Sequence, residues 1–328
     1  MQAQSHMTNT PKHPTHLLYL AAVLLAFALS FQSPAAPQPS PDNHIQAALH
    51  APGPIIIGKP NILALTLNID DRWHTYWPGI NDTGYGISLK FAPVDGLTFG
   101  DPVFPTPTRQ LAPGNILDHI YENQITIYIP VEADDSITPS DQLTINTTID
   151  YLICKDLCIP ESITTTVTLQ AANPEPQSAD EPKTLTDLEA RYYIYRPMHL
   201  NNTVDIPHTS DHTPITTTAE GVTSLTPDPR INVWYTADNQ WQENKIRLTI
   251  PGATHYTFFP DNNCTNPADL IAQGDTESKT LTITFGRRYE DDPTTPARLS
   301  GRLLAKFKHG WREFDIDYIQ PQPKETTP

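Results

Sequence analysis

The stretch Leu143-Thr144-Ile145-Asn146-Thr147-Thr148-Ile149-Asp150-Tyr151-Leu152-Ile153-Cys154-Lys155-Asp156-Leu157-Cys158-Ile159-Pro160-Glu161 carries both the folding signal and the chemistry of this chain. Leu143, Ile145, Thr147, Ile149 and Tyr151 fall on one face of an extended segment, with polar residues between them. Beyond the cysteines the pattern resumes at Ile163, Thr165, Val167 and Leu169. It also precedes them, at Leu63, Leu65, Leu67 and Ile69 and at Ile125, Ile127, Ile129 and Val131. Alternation with period two, rich in Thr and β-branched residues, predicts half-buried strands, and no helical period competes with it here. Several such strands separated by turns predict an all-β fold, an antiparallel β-sandwich.

The second half repeats this reading, with candidate strands at 245–250, 256–259, 280–285, 299–306 and 314–318, and a helical turn at 268–272. Between the halves lies a polar, Pro-rich linker at 171–183. A short helical stretch is expected after it, at 186–195, with Asp187 and Glu189 in the first turn, where the helix dipole favours them. The organisation predicted is a leader over 1–36, a β-sandwich over 42–170, the linker at 171–183, a second β-rich domain over 184–320 and a disordered tail at 321–328.

With 328 residues the chain is long enough for two domains, and 38% hydrophobic residues suffice for packed cores. Thirty-four prolines against 14 glycines favour strands and loops over helices. A formal charge of −16 argues against nucleic acid or an anionic membrane surface as partner. At the N-terminus Lys12, His13 and His16 precede an apolar run from Leu17 to Leu29, and small residues follow at Pro34-Ala35-Ala36. The run has the length of a signal-peptide core and is short for a spanning helix, so export is expected, with an uncleaved anchor as the alternative. No later segment is apolar enough to span a bilayer, so no membrane span is expected in the mature chain.

Two of the three cysteines, Cys154 and Cys158, are four positions apart. In an oxidising compartment such a pair is a staple or a reagent. As a staple it would be weak, because closing a loop of about five residues removes only roughly 2 kcal/mol of unfolded-state entropy. If the 143–151 register continues, Ile153 faces the core and Cys154 faces outward, within reach of a partner. Lys155 lowers a neighbouring thiol pKa and Asp156 raises it, and the two offset each other. A zinc site would need two further ligands. His119 is the nearest upstream histidine, His208 and His212 are four apart but flanked by prolines, and no second cysteine pair exists, so no metal or other cofactor is assigned. Cys264 is read as an inert buried thiol, Trp73, Tyr76 and Trp77 as core and turn packing, His74 as structural, and Asp82-Thr83-Gly84 as a tight turn.

The residues 151–161 resemble the cysteine motif of the N-terminal periplasmic domain of the DsbD/ScsB thiol:disulfide interchange proteins. Trp73-His74-Thr75-Tyr76-Trp77-Pro78-Gly79 with Asp82-Thr83-Gly84 is similar to the corresponding stretch of the ScsB branch, as are Phe104-Pro105-Thr106-Pro107, Tyr121 and Ile129-Pro130-Val131. Phe258-Phe259-Pro260 and Leu299-Ser300-Gly301-Arg302-Leu303 are similar to that branch's second extracytoplasmic segment. The resemblance implies an immunoglobulin-like sandwich whose catalytic cysteines, Cys154 and Cys158, shuttle reducing equivalents, with Cys158 attacking the partner. It implies thioredoxin-like proteins as partners, including those of cytochrome c maturation, and a cap over the pair at about 111–123, with Tyr121 contributing. Residues 111–119 contain no aromatic residue, which departs from the family's cap. The family's transmembrane and thioredoxin domains are not in these 328 residues, so the chain is expected to relay electrons from a separate membrane donor rather than act as a stand-alone enzyme. The alternatives are a non-catalytic binding or scaffold protein with a structural disulfide, and a copper-tolerance accessory suggested by the ScsB branch.

Overall fold

A computed structural model describes residues 43–174, 198–201, 223–224, 232–238, 243–286 and 297–319. The leader at 1–36, most of the linker at 171–183, the helical stretch at 186–195, His208, His212 and the tail at 321–328 lie outside the described residues. Among the described residues no helix is long and apolar enough to cross a membrane.

The predicted all-β architecture is found. In chain order the first half contains β1 (Ile45–His50), β2 (Ile55–Ile56), β3 (Pro60–Ile69), β4 (His74–Tyr76), β5 (Ser88–Phe91), β6 (Leu97–Phe99), β7 (Thr108–Ala112), β8 (Ile116–Glu122), β9 (Gln124–Ala133), β10 (Gln142–Cys154) and β11 (Cys158–Ala172). One sheet runs β1-β3-β9-β6. The other runs β2-β11-β10-β4-β8-β7, with β5 also pairing β10.

Alternation decides which side chains meet between these sheets. Leu63, Leu65 and Leu67 of β3, Ile127, Ile129 and Val131 of β9, and Ile145, Ile149, Tyr151 and Ile153 of β10 are all fully buried in one cluster. Burying one such Leu or Ile contributes about 1.5–3 kcal/mol, and trimming a residue such as Ile149 to Ala costs about 2–5 kcal/mol because a cavity remains.

The hairpin β10–β11 pairs in unbroken register from Gln142↔Gln170 to Cys154↔Cys158. Its inner face pairs Ile145 with Val167 and Ile149 with Ile163. Its outer face is a hydroxyl and carboxylate ladder, with Thr144–Thr168 at 3.1 Å, Asn146–Thr166 at 2.7 Å and Asp150–Ser162 at 2.6 Å. Such cross-strand pairs lock register, since a slip of one residue would turn the apolar set to water.

The second half contains β12 (Met198–Asn201), β13 (Thr223–Ser224), β14 (Asn232–Asp238), β15 (Glu243–Thr249), β16 (His255–Pro260), β17 (Pro267–Ala268), the short helix α1 (Leu270–Gln273), β18 (Asp275–Thr276), β19 (Leu281–Gly286), β20 (Arg298–Phe307) and β21 (Gly310–Ile319). They form two five-stranded sheets, β12-β21-β20-β16-β18 and β13-β14-β15-β19-β17. A separate core unites Leu248, Tyr256, Phe258, Leu281, Phe285, Leu299, Leu303 and Phe314. Of the strands anticipated here, 256–259, 299–306 and 314–318 fall within β16, β20 and β21, while 245–250 and 280–285 overlap β15 and β19 but each run one residue past them. The helical turn expected at 268–272 begins in β17 and overlaps α1 only from Leu270. From Asn43 onward the chain clusters as one compact unit, and the two pairs of sheets touch directly.

Candidate functional site

Cys154 is the last residue of β10 and Cys158 the first of β11, so the hairpin ends in a cross-strand disulfide. Their Cα atoms are 4.1 Å apart and the S–S bond is 2.00 Å. The close Cα approach is that of a directly opposed pair on an antiparallel ladder. Residues 155–157 close the turn, with the Lys155 N–H donating to the Leu157 carbonyl at 3.2 Å.

The two sulfurs differ in environment. Ile153 lies in the main core and Cys154 points to the opposite face of the sheet, as the alternation predicts. The expectation that this makes Cys154 reachable is wrong: it is 2% exposed. The outer face is covered at this point by Tyr76 and Ile120, which pack with Leu152 and Cys154 in a small second cluster. They arrive because β4 pairs with the end of β10, His74 opposite Cys154, and β8 pairs with β4, Ile120 opposite Tyr76. Cys158, by contrast, is exposed, between the exposed apolar side chains of Leu157 and Ile159.

Tyr76 is more than packing, contrary to its reading from sequence. Its hydroxyl lies 3.3 Å from Cys154 Sγ, 3.7 Å from Cys158 Sγ and 3.3 Å from Thr83 Oγ1. Thr83 Oγ1 donates to Asp118 Oδ2 at 2.5 Å, and the Thr83 N–H donates to Asp118 Oδ1 at 3.0 Å. Thr83 uses its one hydroxyl proton on Asp118, so the single Tyr76 proton is divided between Thr83 Oγ1 and the sulfurs of the disulfide. Burial pushes the Tyr76 phenol above its ordinary pKa, the Thr83 bond opposing and Asp118 adding to the rise. The phenol therefore keeps its proton at neutral pH and is a donor toward sulfur.

The Asp82-Thr83-Gly84 stretch, read as a turn, builds this setting. Asp82 Oδ2 accepts from the Leu117 N–H at 2.6 Å, which fixes the turn to β8. A Cβ on Gly84 would lie 2.4 Å from the Tyr76 ring, so only glycine lets the backbone rest on that ring.

The rim of the site is stapled by residues flanking the motif. Glu161 accepts from the Tyr151 hydroxyl at 2.8 Å and from the His44 N–H at 3.1 Å, tying β11 to β10 and to the start of β1. Burial first, then the bond to Glu161, drive the Tyr151 phenol far up in pKa. His44 stacks on Trp73 with centroids 3.8 Å apart, and Lys155 Nζ lies 5.8 Å from the Trp73 ring centroid. His74 is half-buried, edge-on to the Tyr76 ring at 5.5 Å. Burial lowers its pKa, against the pull of Glu122 and Asp118.

Other expectations need correction. The 111–123 region is not a loop over the cysteines but most of the β7–β8 hairpin, and it covers Cys154 through Ile120. Tyr121 points the other way, into the main core, and donates to the Pro105 carbonyl at 2.6 Å. His119 is 1% exposed and its Nδ1 lies 2.9 Å from the Ile80 carbonyl. Desolvation pushes its pKa down to about 4. Among the described residues no three His, Cys, Asp or Glu side chains gather as a metal site. Cys264 is buried in the second core, and burial pushes its thiol up to about 12.

Comparison with known proteins bears on this same segment. Residues 46–171 match the family model described as thiol:disulfide interchange protein DsbD, N-terminal. Among solved structures, the N-terminal periplasmic domain of ScsB from Proteus mirabilis aligns over 87% of this chain and 97% of its own, at 14% identity and a TM-score of 0.48. The DsbD N-terminal domain of Neisseria meningitidis, in its reduced form, aligns over 42% of this chain and 94% of its own, at 16% identity and a TM-score of 0.27. No curated protein matches the chain.

Proposed function

We propose that this chain is an exported thiol–disulfide relay, in which Cys158 exchanges with thioredoxin-like proteins and Cys154 is the resolving partner. The observation that carries this reading is the asymmetry of the pair: Cys158 is exposed at a hairpin tip, while Cys154 is buried under a tyrosine hydroxyl. Attack on a disulfide sulfur is in line with the bond, so access selects the sulfur attacked.

In the accepting direction a partner thiolate attacks Cys158 Sγ. The Cys154–Cys158 bond breaks, a mixed disulfide forms, and the electron pair leaves on Cys154 Sγ. Tyr76 donates a hydrogen bond to that sulfur, where negative charge develops. The partner's second thiolate then attacks the mixed disulfide and releases Cys158 as a thiolate. Two electrons have moved to this chain, and its two sulfurs take up two protons from solvent. In the donating direction the Cys158 thiolate attacks an oxidised partner and Cys154 resolves the mixed disulfide.

Leu157 at 78% and Ile159 at 40% exposure give the docking site an apolar collar, with Lys155 beside it. This suits partners whose own reactive cysteine sits in an apolar surface. A separate membrane protein would supply the electrons, and acceptors would include disulfide isomerases and the thioredoxins of cytochrome c maturation. The residues 42–170 form the exchange domain and 184–320 a second domain, joined by the linker at 171–183 and delivered by a cleaved leader at 1–36.

The test is a redox titration of the purified chain against a thioredoxin-like protein, followed by thiol trapping. A relay gives a potential between those of thioredoxin and the oxidising exchange proteins, about −270 to −120 mV, and exchange within seconds. A potential below about −300 mV with no mixed disulfide would make the bond a structural staple and end the proposal.

A further inference from the structure

The shell around Cys154 is built on β4, β8 and the residues 77–84 between β4 and β5. The far side of this same layer is fastened to the second sandwich. The Ile80 N–H donates to the Pro260 carbonyl at 3.0 Å, Gly79 bridges to Asp261, and Trp77 Nε1 donates to the same Pro260 carbonyl at 3.4 Å. A Cβ on Gly79 would meet Trp77 Nε1 at 2.0 Å and the Pro260 carbonyl at 2.4 Å, so the backbones approach as closely as glycine permits. Ile80 belongs to the first half in sequence yet packs on the core of the second.

Charged groups complete the fastening. Arg302, 5% exposed, donates to the Phe104 carbonyl at 3.2 Å and lies 5.7 Å from the Trp77 ring centroid. Its charge is held by Asp315 at 2.7 Å and Glu313 at 3.0 Å. Arg109, on β7 beside β8, donates to the carbonyls of Leu270 and Ile271 in α1. His119 meets the Phe259 ring edge-on at 5.2 Å.

The strand β8 is thus gripped from two sides. Asp118 and Ile120 serve the disulfide, and His119 between them contacts the second sandwich. The 77–84 segment does the same: Asn81 receives the His119 N–H at 2.8 Å, and two residues later Thr83 holds Tyr76 and Asp118. A layer one strand thick cannot shift against the second sandwich without shifting against Cys154, because close-packed interiors transmit displacement.

We infer that the second sandwich is a positioning element of the redox site: through Ile80, Arg109, Phe259 and Arg302 it holds Tyr76, Thr83, Asp118 and Ile120 over Cys154 and keeps that cysteine closed to solvent. The inference rests on the proposed exchange function for its biological meaning. It assigns the second sandwich a role in how the first one reacts.

The experiment is alkylation of the reduced full chain, with each cysteine followed by mass spectrometry. Ile80→Ala, Arg109→Met and Phe259→Leu loosen the contact without touching the cysteines or Tyr76. Cys264, buried in the second core, reports whether that sandwich stays folded. The expected result is labelling of Cys154 about tenfold faster in each variant, as a local opening, with Cys264 as protected as before. Unchanged Cys154 labelling in all three variants would overturn the inference. So would Cys154 labelling that rises only in step with Cys264, since the shell would then open only by unfolding. The labelling needs no exchange partner, so failure of the wild-type chain to exchange would sink the proposed function while leaving this readout intact.

Discussion

The two sandwiches bury their cysteines in different ways, and the difference shows what makes a thiol usable. In the second, Cys264 sits among aliphatic and aromatic side chains, and desolvation drives its thiol up to about 12. In the first, Cys154 is as well buried, but a phenol hydroxyl touches its sulfur and a carboxylate stands two hydrogen bonds behind it. It is also bonded to a cysteine that reaches solvent. Burial alone makes a thiol inert, whereas burial beside a hydrogen-bond donor, with an exposed partner sulfur, is the setting that the proposed relay asks of a leaving group. Two buried tyrosines, Tyr76 and Tyr256, carry the same contrast. Tyr76 faces sulfur, while Tyr256 accepts from the Ile250 N–H at 2.9 Å and donates to the Lys279 carbonyl at 3.2 Å, an all-backbone setting.

The sharpest way to break the comparison is to remove one cysteine from each region. Cys158→Ala is expected to abolish exchange with a thioredoxin-like protein, while Cys264→Ala keeps the rate within about twofold, as trapping gels would show. Equal losses would end the distinction.

The contact between the two regions should respond to acid through His119. Its folded pKa, about 4, lies below the unfolded value near 6.5, because burial outweighs the Ile80 bond and the pull of Asp118 and Asp82, with Arg109 adding to the depression. The unfolded chain therefore binds the proton first. The stability that neutral His119 permits is complete above pH 6.5 and falls as pH drops toward 4, by about 3 kcal/mol for a shift of this size. Urea midpoints at pH 7 and pH 4.5 measure it, and His119→Gln should flatten that part of the slope.

The paired tyrosines give the smaller effects. Tyr76→Phe should slow exchange about tenfold, the scale of losing one hydrogen bond to a sulfur that gains charge, with little change in melting temperature. Tyr256→Phe should do the reverse. It leaves a buried N–H unpaired and costs about 1–2 kcal/mol in a melting curve, with exchange untouched.

The strands were legible because each carries its own signal. Leu63, Leu65 and Leu67 or Ile145 and Ile149 mark their inward face whatever they pack against. The cysteine pair was legible for the same reason, since it lies on one hairpin. Parity even placed Cys154 on the correct face. What parity could not say is whether that face is bare. Its cover comes from His74-Thr75-Tyr76 and Ile120, which are about 80 and 35 positions away along the chain and reach Cys154 only through sheet order. Thr83, Gly84 and Asp118 were hidden likewise. Asp-Thr-Gly has the composition of a turn, and the wish of a buried hydroxyl for a partner cannot be read from residues of unknown depth. A signal was present in Trp73-His74-Thr75-Tyr76-Trp77: an aromatic cluster too rich for a three-residue strand to need for packing alone.

The sequence by itself determined that this chain is built of strands and which face of its strand Cys154 takes, because period two is a property of the backbone and needs no neighbour. Only the tertiary structure decided which sulfur meets solvent, which hydroxyl meets the other, and that the second sandwich stands behind both. Those depend on strand order and on contacts such as Trp77 with Pro260 and Arg302 with Phe104, 183 and 198 residues apart, for which no local pattern exists.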